Sequence, residues 1–99
     1  MEKPVTVIAR LKAKPGKEDA LKETLLLFID PSRKEEGCIN YELHISDHDP
    51  GLFMFHETWA DNKALAKHLS TPQLRDFITI SKDLLAEPMD VSLWNKLKE

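Results

Sequence analysis

Four stretches of the chain alternate hydrophobic and polar positions, which is the period-two pattern of a half-buried β-strand. They cover residues 5–13, 38–46, 52–59 and 87–94. The turn-forming residues 47–51 are too few for a crossover, so the second and third strands are expected to pair antiparallel. In the second strand, alternation predicts two faces: Ile39, Tyr41, Leu43 and Ile45 on one, and Cys38, Asn40, Glu42 and His44 on the other.

The interval after the first strand has a helical pattern. Its apolar residues predict an amphipathic helix over residues 17–30, with a stripe of Leu21, Leu25, Phe28 and Ile29. Pro31 disfavours helical geometry at the residue before it and is expected to end this helix. Residues 32–35 have the form of a capping box and predict a short second helical piece, which Gly37 is placed to stop.

The interval after the third strand predicts two further helical segments. Asp61 is placed to cap the first, which carries Leu65 and Leu69. Pro72 is favoured at the start of the second, whose stripe is Leu74, Phe77, Ile78, Ser81, Leu84 and Leu85. The order is therefore β-α-β-β-α-β, the ferredoxin-like α+β arrangement, in which right-handed crossovers place both helical segments on one face of an antiparallel sheet.

Apolar residues occur on both faces of this predicted sheet. In the third strand Leu52 and Met54 lie opposite the phenylalanines, Ile8 lies opposite the valines of the first strand, and Trp94 lies opposite the apolar stripe of the fourth. Helices on one face leave the other open, and extensive apolar surface there indicates a partner. We expect a homodimer whose two sheets pack face to face about a two-fold axis. The alternative is a monomer with scattered surface apolar residues.

Length and composition fit a single domain over residues 1–99. The net charge is −3 and basic residues are interleaved with acidic ones, so no nucleic-acid partner is expected. No run of about 20 apolar residues and no signal-peptide pattern is visible, so we expect a soluble cytoplasmic protein without a membrane partner. The one cysteine, Cys38, and the four histidines show no metal-ligand spacing, so no metal is expected.

Three segments resemble the antibiotic biosynthesis monooxygenase family, in particular its small quinol-monooxygenase-like members. They are Pro15 and Gly16 before the first helix, then Glu36, Gly37 and Cys38 with Tyr41 entering the second strand, and then Glu57, Trp59, Leu65 and His68. The resemblance extends over nearly the whole chain. It implies a dimeric α+β barrel of about this length.

The resemblance implies several activities. Some members oxygenate electron-rich aromatic or quinol substrates with dioxygen and neither metal nor flavin, some degrade haem, and one group isomerises a phosphorylated product of quorum-signal breakdown. The haem-degrading branch uses an asparagine on strand one and a histidine late in the second helix. Here Thr6, Ile8 and Arg10 occupy the strand-one positions and His68 comes early. We therefore expect no haem and no other cofactor.

Three residues are candidates for catalysis: His68, Trp59 and Asn40. A neutral His68 can take a proton from a phenol-like substrate, or it is a helix-end histidine bonded to backbone carbonyls. Trp59 can hold a planar substrate by stacking, or it is a core or interface anchor. Asn40 can bind a carbonyl or peroxide oxygen, or it belongs with His44 to an exposed or dimer-facing polar row.

Six residues are candidates for substrate contact: Glu57, Tyr41, Phe77, Phe28, Met54 and His44. Glu57 lies on an apolar face, where a carboxylate needs a partner or a raised pKa, and a structural ion pair is the favoured explanation. The aromatic residues and Met54 have spacings that are also typical of plain core.

Two classes of function follow. The first is a cofactor-independent monooxygenase that acts with dioxygen on a small aromatic, quinol or polyketide-like substrate. His68 would remove a proton from a ring held against Trp59, which raises the electron density of that ring. The second is an isomerase in which His68 and Glu57 shuttle a proton, or a non-catalytic small-molecule-binding dimer of the same fold.

Overall fold

The computed structural model describes residues 3–98, which form one four-stranded sheet with helices packed on one face. In chain order the elements are β1 (Val5–Lys12), α1 (Glu18–Leu26), α2 (Ile29–Arg33), β2 (Cys38–Ile45), β3 (Leu52–Trp59), α3 (Asn62–Leu69), α4 (Pro72–Leu84) and β4 (Asp90–Trp94). The sheet order is β2-β3-β1-β4, and every neighbouring pair is antiparallel. The predicted ferredoxin-like fold is confirmed, with each helical segment divided in two.

The core lies between the helices and the inward-facing rows of the two central strands. Leu21 and Leu25 of α1, Leu65 of α3 and Phe77 of α4 pack onto these rows. Every inward position is apolar except Glu57, as the cross-strand pairs of β1 and β3 show: Val5 with Trp59, Val7 with Glu57, Ala9 with Phe55, and Leu11 with Phe53. Helices α1, α3 and α4 therefore each bury part of the predicted stripe, whereas Leu69 and Ile78, which the spacing also placed on stripes, are 50% and 56% exposed.

Local signals set the start of α3 and α4 where the sequence predicts them. Asp61 has extended backbone, and its Oδ1 accepts a hydrogen bond from the Ala64 N–H at 2.8 Å. This N-cap satisfies one of the backbone donors that the first turn leaves free. Pro72 lies in the first turn of α4, where its missing N–H removes no helical hydrogen bond.

The prediction of one helix over residues 17–30 is wrong, because the structure has two helices there. α1 ends at Leu26, and α2 starts at Ile29 and contains Pro31. Pro31 does not end a helix, because it lies in the first turn of α2, where proline is tolerated. Residues 32–35 do not start a helix as a capping box either, since Ser32 is already inside α2 and the chain leaves that helix after Arg33.

A β-bulge at the start of β2 shifts the predicted alternation. Cys38 pairs with Trp59 and Asn40 with Thr58, so Ile39 is an extra residue opposite a single step of β3. Cys38 therefore packs against the core and Ile39 is 61% exposed, the reverse of the predicted faces. From Asn40 onward the alternation is as predicted.

The face of the sheet away from the helices carries apolar and polar side chains together. The strand register places them in neighbouring pairs: Ile8 with His56, Arg10 with Met54, and Thr6 with Trp94. Trp94 is 56% exposed. The predicted occurrence of apolar residues on both faces is therefore present in the structure. Within residues 3–98, no helix has the length and hydropathy that a bilayer crossing requires.

Candidate functional site

A narrow cavity lies between the helices and the centre of the sheet. Its volume is about 40 Å³, which is room for a few water molecules and well below the about 150 Å³ of an apolar cavity that takes benzene. Three polar residues and a majority of apolar ones line it: Tyr41, Glu57 and His68, with Val7, Ala9, Leu11, Leu25, Phe28, Phe55, Leu69, Leu74, Phe77, Met89 and Val91.

His68 lies between two carboxylates. It belongs to the last turn of α3 and is 3% exposed. Its Nδ1 is 3.0 Å from one carboxylate oxygen of Glu35 and 3.2 Å from the other. Its Nε2 is 3.9 Å from Oε1 of Glu57, which is too long for a hydrogen bond. The imidazole is therefore bonded to one carboxylate at Nδ1 and has the second nearby at Nε2.

A close approach of the turn after α2 to helix α3 brings Glu35 to His68. Gly37 has a φ of 88°, and a Cβ at this position would overlap the Cβ of Ala64. Its carbonyl also accepts a hydrogen bond from the Ala60 N–H at 2.8 Å. Ala64 and His68 are one helical turn apart and share a face of α3. Glycine at position 37 is therefore what lets this turn reach the histidine-bearing face.

Glu57 is buried in the inward row of β3, at 5% exposure. Its Oε1 accepts a hydrogen bond from Trp59 Nε1–H at 2.9 Å. Burial raises the pKa of the Glu57 carboxyl, and the Trp59 hydrogen bond and the nearby His68 oppose this without cancelling it. Glu57 thus holds a proton more readily than an exposed glutamate does.

Trp59 is fully buried and does not line the cavity. Its ring lies against the His68 imidazole, with centroids 4.4 Å apart and planes 30° apart. The edge of Tyr41 contacts the same imidazole, with centroids 5.7 Å apart. Burial, and then the charge of Glu57, raise the pKa of the Tyr41 phenol. Trp59 and Tyr41 therefore hold the His68 ring in place.

Phe77 is the wall between this cavity and two open grooves. It packs edge-to-face on Phe28, with centroids 5.5 Å apart and planes 83° apart. Beyond this pair lies a groove of about 190 Å³, and beyond Phe77 and Met89 lies a groove of about 490 Å³. A displacement of the Phe77 side chain would therefore connect the small cavity to much larger spaces.

The structure separates three candidate residues from the cavity. Asn40, His44 and Met54 lie on the outer face of the sheet, in register with the row opposite Glu57. Asn40 Nδ2 is 2.8 Å from Nδ1 of His56 and also bonds the His56 carbonyl at 3.2 Å. Asn40 and His44 thus lie in a polar row of the outer face, and Met54 lies on the same face and not in the core.

The described residues that line the cavity include a carboxylate, that of Glu57, but no permanently cationic side chain. No lysine or arginine is among the residues of the described chain that line it. An anionic group placed there would meet the Glu57 carboxylate, with only His68 as a possible counter-charge. Residues 3–98 contain no group of three or more His, Cys, Asp or Glu side chains arranged to hold a metal ion.

The fold and the cavity define a class of protein. It is a ferredoxin-like α+β domain in which a buried histidine and a buried carboxylate line an apolar space between helices and sheet. A family model described as "Antibiotic biosynthesis monooxygenase" matches residues 4–79. The chain belongs to this family, as the resemblance predicted.

Several known proteins are similar to nearly the whole of this chain. The crystal structure of PA3566 from Pseudomonas aeruginosa has 36% identity and a TM-score of 0.92, covering 99% of this chain and 98% of that one. Rv0793 of Mycobacterium tuberculosis, provisionally named a monooxygenase, has 33% identity over 100% of this chain and 97% of its own. Its solved structure has a TM-score of 0.90 and covers 97% of each chain. An uncharacterized Synechocystis protein, sll1783, has 35% identity over 92% of this chain, which spans 62% of that protein's length.

Proposed function

We propose that the chain is a small monooxygenase that oxidises a neutral phenol or quinol with dioxygen. The observation that carries this proposal is the pairing of His68 with Glu57 at 3.9 Å on the wall of an otherwise apolar cavity. The family and the provisional name of the Mycobacterium tuberculosis relative support the class of reaction.

The proposed reaction starts with a proton transfer to Nε2 of His68. The substrate O–H bond breaks, an N–H bond forms, and the electron-rich phenolate passes an electron to dioxygen. In the complete reaction a ring C–H becomes a carbonyl, one oxygen atom enters the substrate and the other leaves as water. The substrate itself supplies the four electrons. Histidine is the side chain most often used for such a transfer, whereas the raised pKa of Tyr41 makes that residue unsuited to act as the base.

The charges around the cavity favour a neutral substrate. A phosphate or carboxylate on the substrate would be buried beside Glu57 without a lysine or arginine among the described lining residues. This speaks against the isomerase of a phosphorylated substrate as the alternative function. A phenol carries one polar group, which His68 can bind, and an apolar ring, which the remaining lining accepts.

The cavity must widen before a ring can enter. We place the movement at Phe77, because it is the wall shared with both neighbouring grooves. In this proposal Trp59 does not stack on the substrate. Its ring supports His68, and its N–H orients Glu57.

Oxygen uptake with a panel of neutral phenols and quinols tests the proposal. We expect the wild type to consume one dioxygen per product formed, and His68→Gln to lower the rate by about 10²–10⁴-fold. The matched control is His48→Gln, because His48 is an exposed turn residue. No uptake with any substrate, conversion without oxygen consumption, or an equal rate in His68→Gln would each overturn the proposal.

We also propose that two copies of the chain pair through their outer sheet faces. Ile8 and Met54 lie at the centre of this face, and Trp94 lies exposed on its edge strand. A self-complementary sheet face buries such residues in both copies at once. Pairing would also bring the polar row of Asn40 and His56 into the interface, where their mutual hydrogen bond keeps them satisfied.

Sedimentation equilibrium at micromolar concentration tests this pairing. We expect a dimer for the wild type and a monomer for Ile8→Glu, because the substitution places a charge at the centre of the face. Ala66→Glu adds the same charge on the exposed side of α3 and should leave the dimer intact. A monomeric wild type, or an Ile8→Glu variant that stays dimeric, would refute pairing through this face.

A further inference from the structure

We propose that Glu35 is a positioning residue that holds His68 as the Nδ1–H tautomer and leaves Nε2 as the basic nitrogen of the cavity. This inference deepens the proposed function and rests on it for its chemical meaning. The tautomer itself can be measured without any substrate.

The geometry at Nδ1 requires a donor on the ring. Both Glu35 oxygens lie within 3.2 Å of this nitrogen. A carboxylate accepts hydrogen bonds and has none to donate, so the proton between the two groups belongs to the imidazole. In a neutral histidine one nitrogen carries the proton and the other has a lone pair. The lone pair is then on Nε2.

The surroundings of the ring prevent it from flipping about the Cβ–Cγ bond, a rotation that would exchange Nδ1 with Cδ2. Trp59 covers one face of the imidazole and the Tyr41 edge contacts it as well. A ring flip would place Cδ2 instead of Nδ1 at Glu35 and lose this hydrogen bond. It would also need both aromatic neighbours to move, which a close-packed interior resists. The packing and the Glu35 contact therefore select the same orientation.

Glu35 has a second effect once a proton has been taken. A substrate proton on Nε2 converts the buried imidazole into a cation, and a buried cation without a partner is strongly disfavoured. Glu35 is within ion-pair distance at Nδ1, and its side chain is 24% exposed against 4% for that of His68. The carboxylate can thus stabilise the imidazolium while it keeps part of its own hydration. The Nδ1 proton stays on the ring throughout.

Long-range ¹H–¹⁵N NMR of the histidine side chains tests the proposal, at a pH where the imidazoles are neutral. We expect His68 of the wild type to carry its proton on Nδ1. In Glu35→Gln the amide can donate to Nδ1 or accept from it, so the Nδ1–H form is no longer enforced and we expect the Nε2–H form to appear. The exposed His48 in the same sample gives the reference for a histidine without a fixed tautomer.

Two further variants separate positioning from a general loss of structure. Glu36→Gln removes the same charge from the exposed neighbouring residue and should leave the His68 signals unchanged. Glu35→Asp keeps a carboxylate and should retain the Nδ1–H form in part. A wild-type His68 protonated on Nε2, or a Glu35→Gln spectrum identical to that of the wild type, would overturn the proposal.

The same variant distinguishes this inference from the proposed function. If oxygen uptake is observed, Glu35→Gln should lower kcat by on the order of 100-fold with little change in KM, because substrate binding does not involve Glu35. If no substrate is oxidised but the tautomer behaves as expected, the positioning role of Glu35 stands and the monooxygenase assignment fails.

Discussion

Replacing Gly37 with alanine is expected to damage the fold and the site together. Gly37 has a φ of 88°, in the left-handed region where any side chain is strained, and its missing Cβ leaves space for the Cβ of Ala64. Gly16 provides a matched comparison, because it has the same φ of 88° but no heavy atom within 4 Å of a Cβ built on it. The two substitutions therefore share the backbone strain and differ in the collision with α3.

The magnitudes follow from these two terms. The left-handed conformation costs a non-glycine residue about 1–2 kcal/mol, which is the whole expected effect of Gly16→Ala. Overpacking of a tight contact adds about 1–3 kcal/mol, so Gly37→Ala should lose about 2–5 kcal/mol in total. That is a large part of the about 5–15 kcal/mol that stabilises a domain. The melting temperature should fall by about 4–8 °C for each kcal/mol.

Urea unfolding of both variants and of Ala64→Gly measures the collision directly. Ala64→Gly alone should cost about 1 kcal/mol, from its lower helix propensity. In the double variant Gly37→Ala with Ala64→Gly the overlap is removed, so the two changes should be less harmful together than their sum, by about 1–3 kcal/mol. Equal losses in Gly37→Ala and Gly16→Ala, with no coupling to Ala64, would refute the reasoning.

Two further predictions concern the cavity. Burial raises the folded-state pKa of Glu57 above its ordinary value of 4.5, so the wild type loses stability as pH rises from the unfolded-state pKa through the folded-state pKa. Glu57→Gln, measured by urea unfolding, should therefore gain stability relative to the wild type as pH rises above 4.5, by about 1.4 kcal/mol for each unit between the two pKa values. A pH-independent difference between the two proteins would contradict this. Phe77→Leu should lower the free energy of unfolding by about 1–2 kcal/mol. It should also tighten the binding of a naphthol, measured by fluorescence, because it removes part of the wall shared with the neighbouring grooves. Unchanged or weaker naphthol binding would show that Phe77 does not limit entry.

Most of the cavity could be predicted from the sequence, because each strand and helix of this small domain buries a single face. Tyr41 and Glu57 share a face through strand alternation, and their strands pair with those two residues side by side. His68 of α3, Phe77 of α4 and Phe28 in the turn between α1 and α2 line the cavity from the helical side. The residues predicted for substrate contact on this face therefore meet in one cavity.

Glu35 could not be predicted from local pattern. Its partner His68 is 33 residues away, and the spacing of residues 32–35 also fits a capping box, which the structure does not form. The signal that could have identified the contact is Gly37, because a glycine just before a strand indicates either a turn or the close approach of another backbone. The sequence alone does not say which element makes that approach.

The sequence does not determine whether the helices cover the sheet face that carries Asn40, His44 and Met54. β3 is apolar on both faces, so alternation fixes which residues share a face but not which face the helices cover. The bulge at Ile39 adds a second uncertainty, since one extra residue reverses the face of every position before it. Packing of the helices on the Glu57 row decides the outcome.

The raised pKa of Glu57 bears on whether its pairing with His68 is structural. An ion pair formed for stability lowers the pKa of its carboxyl, because the partner charge favours the ionised form. Here burial raises the pKa by more than His68 and the Trp59 hydrogen bond lower it. The 3.9 Å separation from Nε2 leaves no hydrogen bond between Glu57 and His68. A neutral glutamine would keep the Trp59 hydrogen bond and avoid the burial of a charge. Ionisation of Glu57 thus weakens the fold. A group that can gain or lose a proton beside a basic nitrogen is more readily explained by proton transfer than by stability.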